Sequence, residues 1–143
     1  MAVKPIPDGY HSVTPFLIVP GAAKLLDFLQ QAFEAQELHR MPRPDGTIMH
    51  AEVRIGDSLV MMGEPMGDCQ PMFGSLYLYV HDVDAVYKRA LQAGATSLTE
   101  PADQFYGDRS AGVQDPVGNQ WWIATHKEDV PPGEIARRAK AFM

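Results

Sequence analysis

An α+β fold is predicted: two tandem βαβββ modules forming a curved mixed β-sheet around a cavity, with helices on the outer face and a short C-terminal helix. Three observations predict it. The first is an internal repeat, in which "TPFLIVPGAAKLLDFLQQAF" from Thr14 overlays "SLYLYVHDVDAVYKRALQAG" from Ser75 at an offset of 61, and Gly46 overlays Gly107 at the same offset. At the next hairpin Gly56 meets Gly118 at an offset of 62, which implies a turn one residue longer in the second copy. The second observation is a pair of helical apolar stripes, and the third is strand-like alternation between turn signals.

Each copy reads as strand, helix and three strands. Ala22, Leu25, Leu26, Leu29 and Phe33 form the first helical stripe. Asp82 is placed to cap the second helix, whose stripe is Val83, Val86, Tyr87, Ala90 and Leu91 before Gly94. The stretches "RPDGT", "IGDS" and "DPVGN" supply hairpin turns. The chain is read as one domain, with module one over about 11–64, a linker over about 65–73, module two over about 74–126 and a tail over 127–143. In the tail, Ile135, Ala139 and Phe142 would share a side of the short helix after Pro131 and Pro132.

Alternation assigns faces. Met49, Ala51, Val53 and Ile55 are expected under the helix, with Ile48, His50, Glu52 and Arg54 opposite. Leu76, Leu78 and Val80 are expected inward, leaving Ser75, Tyr77 and Tyr79 on the hollow. The repeat adds Thr14, Phe16 and Ile18, and from the seventh strand Arg109, Ala111 and Val113.

Composition narrows the function classes. Eighteen acidic against twelve basic residues give a net charge of −6, which argues against a nucleic-acid partner held by phosphate neutralisation and suits neutral or cationic ligands. Cys69 stands alone, excluding an intramolecular disulfide and a cysteine-rich zinc site. "MAVKPIPDGY" has no signal-peptide core, and no apolar run approaches the roughly 18 residues of a membrane span, so a cytoplasmic protein with no membrane partner is expected.

The paired βαβββ copies together with "DPVGNQWWI" resemble the vicinal oxygen chelate superfamily, which includes glyoxalase I, bleomycin and fosfomycin resistance proteins and extradiol dioxygenases. The resemblance extends to His126. It implies metal ligands on the first, fourth, fifth and eighth strands, positions held here by Thr14, one of Val60 to Met62, Ser75 and Trp122. None offers an imidazole or carboxylate, so no cofactor is predicted and a divalent metal is the alternative. The resemblance also implies a homodimer.

Two readings follow. One is a small-molecule binding protein enclosing an aromatic or cationic compound through Phe16, Tyr77, Tyr79, Arg109, Trp122 and Met62. The other is a metal-dependent lyase, isomerase or dioxygenase with non-standard ligands around His50 and Glu52, which alternation places on one face and which can serve proton transfer. Asp108 and Arg109 form a local ion pair or free Arg109 for an anionic group. His11, His39 and His81 are read as solvated, and Met66 and Met72 make the linker a candidate lid. Trp121 is expected in the core and Trp122 on the hollow.

Overall fold

The repeat folds twice in the same way. The computed structural model describes residues 3–143, in the order β1 (Phe16–Ile18), α1 (Ala22–Phe33), β2 (Gln36–Pro42), β3 (Ile48–Ile55), β4 (Ser58–Gly63), β5 (Ser75–Tyr79), α2 (Val83–Gln92), β6 (Thr96–Asp103), β7 (Asp108–Gln114), β8 (Gln120–His126) and α3 (Pro132–Ala139). Two four-stranded mixed sheets result, ordered β1-β4-β3-β2 and β5-β8-β7-β6. In each, the first strand of the module runs parallel to the last and the remaining pairs are antiparallel. A bridge between Ile18 and Met72 stitches β1 to the linker, so Met72 is held by its backbone while its side chain is exposed.

Apolar spacing explains the helix side. Ala22, Leu25, Leu26, Leu29 and Phe33 are all buried, joined by Phe28 and Ala32, whereas Leu91 at the end of the second stripe stays on the surface. Asp82 caps α2 by accepting the Ala85 N–H, and Gly94 leaves it with φ of 109°. Glycine occupies the corresponding cap of α1; there the Gly21 N–H donates to Glu64, whose other oxygen accepts from the Ile48 N–H. Core residues from both modules form one cluster between helices and sheets.

The Asp-Pro-x-Gly-Asn turn is the knot of the second module. Asp115 Oδ1 accepts the N–H groups of Val117, Gly118 and Asn119, while Oδ2 accepts Asn119 Nδ2 and Trp121 Nε1. Asn119 Oδ1 in turn accepts the Gly74 N–H at the start of β5. The Trp121 ring, 1% exposed, lies 5.0 Å from Phe33 of α1, so one residue joins turn, sheet and the other module's helix.

One bulge corrects several expected facings. Met41 pairs with His50 and Pro42 with Ile48, leaving Met49 unpaired as an extra residue in β3. An extra residue reverses facing on one side of it. Ile48 is therefore buried and Met49 exposed, the opposite of simple alternation, while His50, Glu52 and Arg54 keep the open face. The offset between copies falls from 61 to 60 beyond Met49, so Ala111 and Val113 match Ala51 and Val53 and lie in the core rather than on the hollow. Met62 is also corrected: it is fully buried on the helix side, and its neighbour Met61, beside Phe16 and Glu52, takes the open face.

Arg109 is corrected in the same way. It points to the helix side, where Nε and one terminal nitrogen grip the Asp84 carboxylate at 2.9 and 3.0 Å and the other reaches Asp103 at 3.3 Å. Strand alternation sends Asp108 to the opposite face, so the two do not pair with each other. The tail forms α3 and a final 3-10 turn; no residue of α3 is buried, Ile135 is half-buried, and Phe142 meets Phe105 at 5.1 Å. Among the described residues no helix is long and apolar enough to cross a membrane.

Candidate functional site

Both sheets turn one face away from the helices, and these faces carry the candidate residues. On module one, Phe16, Met41, His50, Glu52 and Met61 share the open face by strand register. The Phe16 and His50 rings meet edge-on at 5.9 Å, and His50 Nε2 lies 3.9 Å from Glu52. His39 belongs here too, opposite Glu52 and with its ring 6.4 Å from that of His50, rather than at a strand end.

On module two, Ser75, Tyr77 and Tyr79 of β5 stand beside Trp122 and Ala124 of β8, and beyond them Asp108, Ser110 and Gly112 of β7. Trp122 lies over Gly112, where any Cβ would collide with its six-membered ring, and its Nε1–H donates to the Ser75 hydroxyl at 3.0 Å. Tyr77 and Tyr79 are neighbours at 5.2 Å between ring centroids. Both also border a cleft of about 730 Å³ that runs to Phe33, Asp57 and Val86 between the modules.

Beneath the tyrosines lies Asp108, which the sequence offered only as an ion-pair partner for Arg109. Asp108 is 4% exposed, and its Oδ2 accepts the hydroxyls of Tyr77 at 2.8 Å and Tyr79 at 2.9 Å. Its Oδ1 meets His126 Nδ1 at 2.8 Å, and His126 Nε2 meets Asp129 at 2.7 Å. Burial opposes the charge on Asp108, yet hydrogen bonds from His126, Tyr77 and Tyr79 outweigh it and hold the carboxyl below its ordinary range. The hydrogen bond to Asp108, then that to Asp129, raises His126. Burial, followed by the bonds to Tyr106 and Asp108, raises the Tyr77 phenol, and the bond to Asp108 raises Tyr79.

These shifts fix the sign of a pH effect. His126, raised above its usual 6.5, contributes stability that is complete below that value and is lost as pH rises through the higher folded pKa. Asp108, lowered from 3.8, contributes above that value and loses the contribution as pH falls through its lower folded pKa. Thermal melts of the wild type and His126→Gln should differ most between about pH 4 and 6.5, with the gap closing toward pH 9. A gap that stays constant across this range contradicts the pairing.

A divalent metal meets a poor donor set. Thr14 precedes β1, Met61 is the residue of its trio on the open face, and the Ser75 hydroxyl already accepts from Trp122, which has only an N–H to give. The displaced set around His50 and Glu52 also falls short, because among the described residues no three His, Cys, Asp or Glu side chains converge as a metal-binding group. Elemental analysis of chelator-free protein should find well under one transition metal per chain. About one equivalent, lost in His50→Ala, would overturn this.

Comparisons with known proteins agree with the architecture. The family model of the Glyoxalase/Bleomycin resistance protein/Dioxygenase superfamily matches residues 9–123. An uncharacterized protein of Mycobacterium bovis is 38% identical, over 87% of this chain and 89% of its own length. The crystal structure of TioX from Micromonospora sp. ML1 superposes with a TM-score of 0.64 at 28% identity, covering 80% of this chain and 95% of TioX. A member of the same superfamily from Sphaerobacter thermophilus shares the fold at 22% identity and a TM-score of 0.65, over 81% of this chain and 98% of its own.

Proposed function

Because the chain belongs to the Glyoxalase/Bleomycin resistance protein/Dioxygenase superfamily, we propose that it is a metal-independent small-molecule binding protein that holds an aromatic or cationic compound against the open face of module two. The observation that carries this reading is the platform itself. Trp122, Tyr77 and Tyr79 stand together on the open face, Trp122 half-buried, Tyr77 46% and Tyr79 61% exposed. Tryptophan and tyrosine faces favour stacked aromatic rings and cations, and their polar tips are already fixed by Ser75 and Asp108. Little side-chain ordering is then left for binding to impose.

A platform exposed on one side does not enclose a ligand. Phe16, Met41 and Phe73 are exposed as well, at 51%, 43% and 48%, and apolar surface of this extent favours a partner surface. We propose that the partner is a second copy, which lays its module-one face over module two and brings its Phe16 and His50 opposite the tyrosines. Light scattering should then give twice the chain mass, and a stable monomer at low micromolar concentration would contradict it.

The binding experiment is a screen of planar cationic antibiotics, aromatic metabolites and α-keto compounds by tryptophan fluorescence, followed by titration of Trp122→Ala with whichever compounds bind. The variant should melt close to the wild type and bind about tenfold or more weakly, as expected when a stacking contact and its buried area are lost. Unchanged affinity in Trp122→Ala would remove the platform from the account.

A further inference from the structure

The hydroxyl protons around Asp108 can be counted, and the count fixes the polarity of the site. A carboxylate accepts and does not donate, so the bonds at 2.8 and 2.9 Å from Tyr77 and Tyr79 use the single proton that each phenol owns. Tyr106 lies 3.4 Å from the Tyr77 oxygen; with the Tyr77 proton committed to Asp108, Tyr106 is the donor in that contact. Tyr79 and Tyr106 keep lone pairs free, whereas one lone pair of Tyr77 already accepts from Tyr106. None of the three phenols has a proton left to donate.

His126 follows the same rule. Its two ring nitrogens face carboxylates, Asp108 at 2.8 Å and Asp129 at 2.7 Å, and each can only accept. The imidazole holding both bonds carries both protons and one positive charge. Asp108 and the imidazolium offset each other at 2.8 Å, and the remaining negative charge is that of Asp129, whose side chain is fully exposed beyond His126. Arg109, the cation next in sequence to Asp108, is tied to Asp84 and Asp103 on the other side of the sheet.

We infer that the Tyr77, Tyr79 and Asp108 cluster is a subsite for a cation that bears N–H donors, such as an amidinium, a guanidinium or a primary ammonium, attached to the ring that stacks on the platform. The phenolic oxygens accept the N–H groups, and the faces of the tyrosine and tryptophan rings favour the charge. A carboxylate, phosphate or enolate ligand would place acceptor against acceptor and is rejected. A quaternary ammonium keeps the charge but offers no proton to the phenols. This inference rests on the binding reading above and narrows its ligand class.

Three probes of similar shape separate the possibilities: benzamidine, a planar amidinium; phenyltrimethylammonium, a cation without N–H; and benzoate, an acceptor anion. Calorimetric titration of the intact chain at pH 6 should give benzamidine the highest affinity, about tenfold or more above phenyltrimethylammonium, with benzoate not bound. Tyr79→Phe removes one acceptor oxygen while keeping the ring. It should weaken benzamidine several-fold and leave phenyltrimethylammonium unchanged, with a thermal melt confirming the fold. Equal affinities for the two cations, or benzoate binding as well as benzamidine, would overturn the subsite while leaving the aromatic platform standing. If the three probes fail but members of the broader screen bind through Trp122, the subsite is likewise overturned. If nothing in the screen binds at all, the binding reading falls and the subsite with it.

Discussion

Trp121→Ala is expected to lower stability by about 3–5 kcal/mol, enough to bring the melting temperature down by roughly 10 °C, while its neighbour Trp122→Ala leaves the melt close to that of the wild type. Trp121 is 1% exposed, packs on Phe33 of the other module's helix, and satisfies Asp115 through Nε1. Truncation removes a large buried side chain at the joint between modules and strips a donor from a buried carboxylate, and the surrounding strands cannot collapse into the gap without distorting β8. Trp122 lies on the opposite face over Gly112 and is half-buried rather than enclosed in the core. Melts that reverse this order would place the platform residue in the core and the core residue on the face.

Asp115→Ala is expected to cost about 3 kcal/mol or more, close to the effect of losing Trp121. Its carboxylate, 3% exposed, accepts five hydrogen bonds, three from the backbone of its own turn and two from the Asn119 and Trp121 side chains, the last two and the Asn119 N–H fully buried. Alanine leaves these donors without partners, and an unsatisfied buried donor costs about 1–3 kcal/mol. Asp115→Asn keeps one carbonyl acceptor and should lose less. Denaturant titration of the two variants checks the order; if Asp115→Ala unfolds at the wild-type midpoint, the turn does not hold the module together.

The architecture was legible because its cause is local. Two copies of strand, helix and three strands repeat their apolar spacing, and the "DPVGN" turn carries its own bonding partners within a few residues. The separate fates of Trp121 and Trp122 followed from alternation along one strand. What failed was facing across β7. The bulge at Met49 is a product of pairing with β2, invisible to a fixed offset, and carrying that offset forward put Arg109, Ala111 and Val113 on the wrong side of the sheet. Met62 was misplaced for a simpler reason, since its strand is apolar on both faces and offers no alternation to read.

The Asp108 cluster was missed because its members are far apart in the chain. A signal did exist: counting outward six residues each way from Gln114 and Gln120, the pair that closes the hairpin, sets Asp108 directly opposite His126. The tyrosines join them only through the parallel pairing of β5 with β8, a tertiary choice. His50 and Glu52, by contrast, were correctly placed on one face by alternation, and the structure adds His39 beside them.

The proposed binding face requires that Trp122, not Trp121, meets the ligand. The two indole N–H groups report on it separately, since one donates to Ser75 at the open face and the other to Asp115 in the core. In a proton–nitrogen correlation spectrum of the labelled protein, Trp122→Phe assigns the pair by deleting one indole peak. Titration of the wild type with a compound that the fluorescence screen shows to bind should shift or broaden the Trp122 indole peak in proportion to saturation and leave the Trp121 peak in place. Saturation that moves the Trp121 peak alone, or neither peak, would contradict the account.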